Sequence, residues 1–326
     1  MIIKTLAHAL SPAGVRGRLS ILIFHRVLAH RDAIRTWDID ANDFTRAMTW
    51  LKESFNVLPL DQAIARLIDR TLPARAACIT FDDGYADNFT VAMPILRDHG
   101  LTATFFVATG FLDGGRMWND TVIEAVSHCG KSRLDLSEEG LGVHELNSAV
   151  TVRQAIMNIL NEIKYREPAE RRRTVDYIAA VAGVRLPNDL MLTSEQVRAM
   201  RRAGMLIGAH TVTHPILARL KPDEVRSEIL DSQQFLESLL QERVSLFAYP
   251  NGKPNIDYRA GDAEVVRGLG FDAAVTTAWG VADSRCDLMQ LPRFTPWDKT
   301  RLRFGARLIR NLWQNEQLRS GQMACP

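Results

Sequence analysis

Short apolar runs near residues 20–25, 76–81, 102–108, 205–210, 244–249, 272–276 and 288–294 read as buried strands. Between them, apolar positions recur at helical spacing over 43–55, 60–70, 87–99, 193–203, 222–241 and 261–269. Thr193, with Gln196 three positions on, has the form of a capping box and marks a helix start. Strands separated by helices must return to the same end of the sheet, so the pattern favours parallel pairing through right-handed crossovers. Seven such units predict an α/β fold, a distorted seven-stranded (β/α) barrel whose closure is incomplete. At 326 residues the chain fits one such barrel spanning 1–326 as readily as two smaller domains, and no linker divides it.

Residues 110–192 interrupt the alternation after the third strand and read as an insertion with helices near 120–128, 152–163 and 169–182. Because it follows a strand's C-terminal end, it leaves the barrel from the face where loops converge, and it suits a lid or a wall. A basic helix is expected at 298–318, with Arg303, Arg307 and Arg310 on one stripe and Leu302, Ile309 and Trp313 on another. That stripe suits either a docked helix with a solvated side or contact with an anionic membrane.

Net charge is +2 and no basic field dominates, which argues against nucleic acid as a partner. Cys78, Cys129, Cys286 and Cys325 lack metal-ligand spacing, and Cys78 within a strand reads as a buried thiol. In the first ten residues Lys4 interrupts a short apolar patch and Ser11-Pro12 ends it, so a cleaved export signal is not expected. The run Ile21-Leu22-Ile23-Phe24 is too short to span a bilayer. A cytoplasmic location follows, with peripheral contact to the inner face of the membrane as an additional expectation.

Two segments bear candidate chemistry. Thr80-Phe81-Asp82-Asp83-Gly84 places adjacent carboxylates at a strand end, where neighbouring side chains diverge. One can hold a cation while the other accepts a proton, although taken alone such a pair more often caps the helix that follows a strand. His210-Thr211-Val212-Thr213-His214-Pro215 follows another strand, and two imidazoles four residues apart reach one metal if the chain coils there. Pro215 has the fixed φ of a first helical position. Asp83, His210 and His214 together offer two nitrogens and one oxygen, leaving a position for water.

With Phe247-Ala248-Tyr249-Pro250-Asn251-Gly252, these segments resemble the polysaccharide deacetylase family, the carbohydrate esterases sharing the nodulation-protein deacetylase homology domain. The resemblance runs from about residue 20 to 295. It implies a metal-dependent hydrolase that removes N-acetyl groups from N-acetylhexosamine in a polysaccharide or its lipid-linked precursor. The N-acetylated glycan is then the partner, and exopolysaccharide biosynthesis the setting. Asp83, His210 and His214 would hold one divalent metal, zinc first, with cobalt, nickel, manganese or iron accepted by the same donors. Asp82 would be the base and the backbone N–H of Asn251 the oxyanion donor.

Family members commonly place an acid histidine near the C-terminus, whereas this chain has no histidine after position 214. A barrel is a ring, so the strand supplying that histidine can move to the front, as it looks to have done in permuted deacetylases of bacterial surface polysaccharides. The acid role then falls on His25, whose alternative is a hydrogen-bonded strand-end histidine. Ala248 and Asn251 stand where the family often has arginine and tyrosine, and Arg293 is the candidate replacement guanidinium or simply a rim ion pair. Tyr249 is expected on the same rim. Trp118, in Met117-Trp118-Asn119-Asp120, suits stacking on a sugar ring, or core packing with Asp120 as a cap. The competing functions are an amidohydrolase acting on a small non-glycan amide, a metal-dependent glycosyltransferase using Asp82-Asp83, and a silent glycan-binding subunit. The missing Gly-rich nucleotide loop argues against the transferase.

Overall fold

The computed structural model describes residues 2–296 and 298–313. Six parallel strands form one curled path, paired in chain order: β1 (Leu19–Phe24), β2 (Ala76–Phe81), β3 (Thr104–Val107), β4 (Leu206–Ala209), β5 (Leu246–Ala248) and β6 (Ala273–Val275). The two-residue strand Asn56–Val57 adds to the start of β2. The expected seventh strand at 288–294 requires correction. It is one 3₁₀ turn, Leu288–Gln290, followed by extended chain with single parallel bridges from Leu291 to Val275 and from Phe294 to Leu22. Pro292 lies between those bridges and has no N–H to donate, so a continuous ladder cannot form. The seam still joins the last strand to the first: the Leu291 N–H donates to Ala274 O at 2.9 Å and the Phe294 N–H to Ile21 O at 3.1 Å. The molecule is thus the expected α/β barrel, with six full strands.

Around the sheet lie α1 (Ile2–Leu10), α2 (Ala41–Ser54), α3 (Leu60–Ile68), α4 (Met93–Asp98), α5 (Trp118–His128), α6 (Ala149–Ile163), α7 (Pro168–Ala182), α8 (Ser194–Arg202), α9 (Pro222–Leu240), α10 (Ala260–Gly268) and α11 (Arg301–Trp313). The capping box is present, with Thr193 and Gln196 exchanging side-chain bonds to each other's N–H. The segment expected as one helix over 87–99 opens instead with a π-helical turn, Asn88–Ala92, just before Pro94.

Strand alternation sorts the core into two layers. Leu22, Phe24, Ala77, Ile79 and Phe81 face outward onto a cluster that includes Phe44 and Met48 of α2 and Ile229 of α9. Leu19, Ile21, Ala76 and Cys78 point the other way, joining Leu60, Ile64 and Leu67 of α3. Cys78 is fully buried, and burial pushes its thiol far above the ordinary value. Cys325 and residues 314–318 of the expected tail helix lie outside the described residues.

The insertion has a core of its own, in which Val122 and Val126 of α5 meet Ile156, Ile159 and Ile163 of α6 and Val175 and Ile178 of α7. It also holds a short antiparallel pair, Arg133–Asp135 with Val143–Glu145, that the apolar pattern did not suggest. Tyr85 anchors it to the barrel. Its hydroxyl donates to Asp120 at 3.1 Å, its backbone bridges Met191, and the Ala86 N–H donates to Leu190 O at 2.8 Å.

Candidate active site

The carboxylates sit where β2 ends, and the turn that follows separates them. Phe81 faces the outer core, so Asp82, one residue on, points to the barrel interior. Asp83 at φ 77° and Gly84 at φ 87° then reverse the chain. Left-handed backbone is unfavourable for an aspartate, and its presence here is local strain that fixes where the carboxylate points. Glycine is required next, because a Cβ on residue 84 would lie 3.1 Å from the Val107 side chain at a positive φ.

Asp82 is clamped by Arg293. The guanidinium gives it two parallel bonds, Nη1 to Oδ1 and Nη2 to Oδ2, both 2.7 Å. Arg293 is itself fully buried, donating from Nε to Thr276 O at 2.9 Å and from Nη1 to Thr80 Oγ1 at 3.1 Å. Burial works to raise the Asp82 carboxyl. Arg293, with His210, outweighs it, and the group stays ionised below the ordinary carboxylate range. Arg293 comes from the closing seam, which is how a residue far along the chain reaches β2.

His210 follows β4 and is buried. Its Nδ1–H donates to Ala248 O at 2.7 Å, which fixes the tautomer and leaves the Nε2 lone pair facing Asp83 Oδ1 at 3.5 Å. His214 Nε2 lies 3.3 Å from the same oxygen. The expected helical turn bringing the two histidines together is absent. Residues 211–216 form an irregular loop in which Thr211 (φ 65°) and His214 (φ 52°) are left-handed. Glu228 of α9 holds that loop, accepting from the N–H groups of Val212 at 2.8 Å and Thr213 at 2.9 Å and from the Thr213 hydroxyl at 2.5 Å. Nothing in the sequence pattern singled out Glu228, which lies on a regular helix over ten residues from the histidines.

Burial depresses the His214 imidazole to about 4. His210 moves the other way, since Asp82 and Asp83 overcome its burial. The Asp83 carboxyl is held well below its usual range against burial, by His210 and His214.

A cavity of about 300 Å³ opens above these groups, lined by His25, Asp82, Asp83, His210, His214 and Asn251. His25 is exposed at the end of β1, and its carbonyl accepts from Asn88 Nδ2 at 2.8 Å. Asn251 is left-handed at φ 59°, with its carbonyl accepting from Thr277 Oγ1 at 2.7 Å. Trp118 and Asn119, at the start of α5, border the same cavity. The Arg171 guanidinium covers the indole at 4.8 Å. Asp120 is not a cap: the N-cap is Met117, and burial raises the Asp120 carboxyl to about 7. Met157, Leu160 and Asn161 of α6, with Lys164 at its C-cap, complete the wall and were not foreseen.

Tyr249 requires correction. It does not border the cavity; it is fully buried, stacked on Tyr258 with ring centroids 3.9 Å apart, and its hydroxyl donates to Met289 O at 2.9 Å. Alternation explains this, because Ala248 takes the inward position of β5 and leaves Phe247 and Tyr249 on the outer face.

The donor set fits a cation. One oxygen of Asp83 and one nitrogen from each histidine lie within 4.8 Å of one another. Asp83 Oδ1 is buried with no hydrogen-bond partner, an arrangement that a positive ion would satisfy.

The sequence profile described as polysaccharide deacetylase matches residues 69–273, and the chain belongs to that family. YxkH of Bacillus subtilis (strain 168), which bears the same family name, is 21% identical over 267 residues, 81% of this chain and 66% of YxkH. The chain thus spans just under two thirds of that relative's length. Among solved structures, IcaB from Ammonifex degensii is 18% identical with a TM-score of 0.58, covering 92% of this chain and 98% of its own. The Streptococcus pyogenes deacetylase PplD in complex with acetate is 21% identical with a TM-score of 0.57, covering 85% and 92%. At these identities the two structures attest a shared fold.

Proposed function

We propose that the protein is a metal-dependent hydrolase that removes N-acetyl groups from N-acetylhexosamine units of a polysaccharide or its lipid-linked precursor. The reading rests on the convergence of Asp83, His210 and His214, whose ligand atoms lie within 4.8 Å of one another beside the clamped Asp82. Those three residues would hold one divalent cation, zinc first among those that accept such donors. When bound, the ion supplies Lewis acidity to the amide carbonyl and to water. Asp82 takes the proton of the attacking water, and Arg293 keeps it ionised and aimed. The new C–O bond forms at the acetyl carbon, and the backbone N–H of Asn251 donates to the carbonyl oxygen as it gains charge. His25 delivers a proton to the amine nitrogen as the C–N bond breaks. The products are acetate and the free amino sugar.

Acetate release from a panel of N-acetylated oligosaccharides and lipid-linked sugars tests this reading on metal-loaded protein. Turnover is expected on at least one glycan, with Asp82→Asn lowering kcat by about 10²–10⁴-fold while metal content is unchanged. A panel that yields no acetate, or an Asp82→Asn variant as fast as the parent, would overturn it.

A further inference from the structure

The charges around the cavity do not balance once each is matched with its partner. Among the described residues, Asp82 and Asp83 are the carboxylates that border it, and both are committed, Asp82 to Arg293 and Asp83 to the two histidines and the cation they would hold. Lys164, at the C-cap of α6, borders the same cavity from the insertion's wall. Among the described residues its ammonium makes no hydrogen bond and no salt bridge; around it are the Tyr165 ring, whose centroid lies 5.4 Å from Nζ, and the opposed charges of Asp257 and Lys253. Burial strips water from the ammonium and lowers it below the ordinary lysine value. A half-buried charge without a direct partner is one that a bound anion would answer.

The same wall carries a flat apolar surface tied to that lysine. Trp118, the first residue of α5, borders the cavity, and the Arg171 guanidinium of α7 covers its indole at 4.8 Å. Arg171 Nη1 also donates to the Lys164 carbonyl at 2.9 Å, so one buried side chain joins the indole to the backbone that bears the ammonium. Arg171 has no carboxylate partner among the described residues either, which leaves this part of the wall cationic. Asn119 and Asn161 bring amide groups to the same border. An indole offers area to the apolar face of a sugar ring, and an ammonium is a compact point charge for a carboxylate or phosphoryl oxygen. Mounted on one support, the two recognise a sugar unit that bears an anionic oxygen group.

We propose that Trp118 and Lys164 form a subsite for an anionic sugar unit of the substrate, one that carries a carboxylate or a phosphate. This subsite rests on the functional reading above: the acetamido group reacts beside Asp82 and Asp83, while the charged unit, the same sugar or the next in the chain, lies against the start of α5 and the end of α6. A neutral glycan would cover the ammonium without answering its charge, and should bind less well.

Calorimetry on the metal-stripped full chain reads the subsite without any turnover. The probes are N-acetylhexosamine oligosaccharides of one length, the first neutral, the second with a uronic acid unit and the third with a terminal phosphate. At low salt at least one anionic probe should bind about threefold tighter than the neutral one, and whichever does so tells carboxylate from phosphate. The margin should shrink at about 0.5 M salt. Lys164→Gln should erase the preference and Lys164→Arg should keep it, with circular dichroism matching the parent in both. Equal affinities in the parent, or a preference that Lys164→Gln retains, would overturn the subsite. So would a fall in kcat at constant KM for Lys164→Gln in zinc-loaded protein, which would put the ammonium among the reacting groups. Preferential binding without acetate release from any zinc-loaded sample would support the subsite and overturn the functional reading instead.

Discussion

On the barrel rim, Asp82 is 2% exposed and gripped by two guanidinium nitrogens, and His210 is pinned through its Nδ1–H to a strand-end carbonyl. On the facing wall, Met157 of α6 is 43% exposed, and Asn161 and Lys164 meet the cavity from a helix that belongs to the insertion's own core. Reacting groups are thus held by the barrel, with strained backbone at Asp83, Thr211, His214 and Asn251. Groups suited to touching the rest of a glycan are mounted on a separate packing unit. Positions that must hold a charge at fixed geometry need several partners each, whereas positions that only shape the groove tolerate freedom. Rim substitutions should therefore alter chemistry or stability, and wall substitutions should alter substrate preference.

The largest expected effect on that contrast comes from Arg293→Ala, which leaves Asp82 buried without its counter-ion. Chemical denaturation should show a loss of about 3–5 kcal/mol, partly restored when Asp82→Asn is added. A single variant within about 1 kcal/mol of the parent would mean that the clamp is not the support it looks to be. Next in size is Glu228→Gln, which replaces one of the two acceptor oxygens holding the histidine loop. Competition with a metal-binding dye should report affinity weakened by about 10–100-fold with the fold intact; unchanged affinity would make the Glu228 bonds incidental. The smallest effect belongs to the wall. Lys164→Ala should raise KM by about threefold on a preferred glycan at constant kcat, and a fall in kcat with constant KM would place Lys164 among the reacting groups instead.

The sequence made the rim legible because its groups sit one or two residues past apolar runs. Asp82, Asp83 and His210 could be placed from the strands alone. Tyr249 was misplaced although its parity was available: with Ala248 pointing inward, its neighbours on β5 must point out. The closing strand was misjudged because Pro292 removes a donor from a run that otherwise reads as strand. Arg293 could be named from its position, yet its bond to Asp82 depends on a seam no local pattern encodes. Glu228 and the α6 wall were invisible for a related reason. Their roles come from helices docking across the rim, and each reads locally as an ordinary face of an amphipathic helix. His214 was expected from a helical turn, whereas a loop with left-handed Thr211 and His214, held by Glu228 at Val212 and Thr213 between them, delivers it.

The most direct measurement is calorimetric titration of metal-stripped protein with zinc, comparing the parent with Asp82→Asn and His214→Ala. One equivalent should bind the parent and Asp82→Asn, more weakly at lower pH because His210, whose pKa is raised by Asp82 and Asp83, must give up a proton. His214→Ala should lose that site. Equal binding by His214→Ala, or no stoichiometric uptake by the parent, would contradict the cation centre on which the functional reading rests.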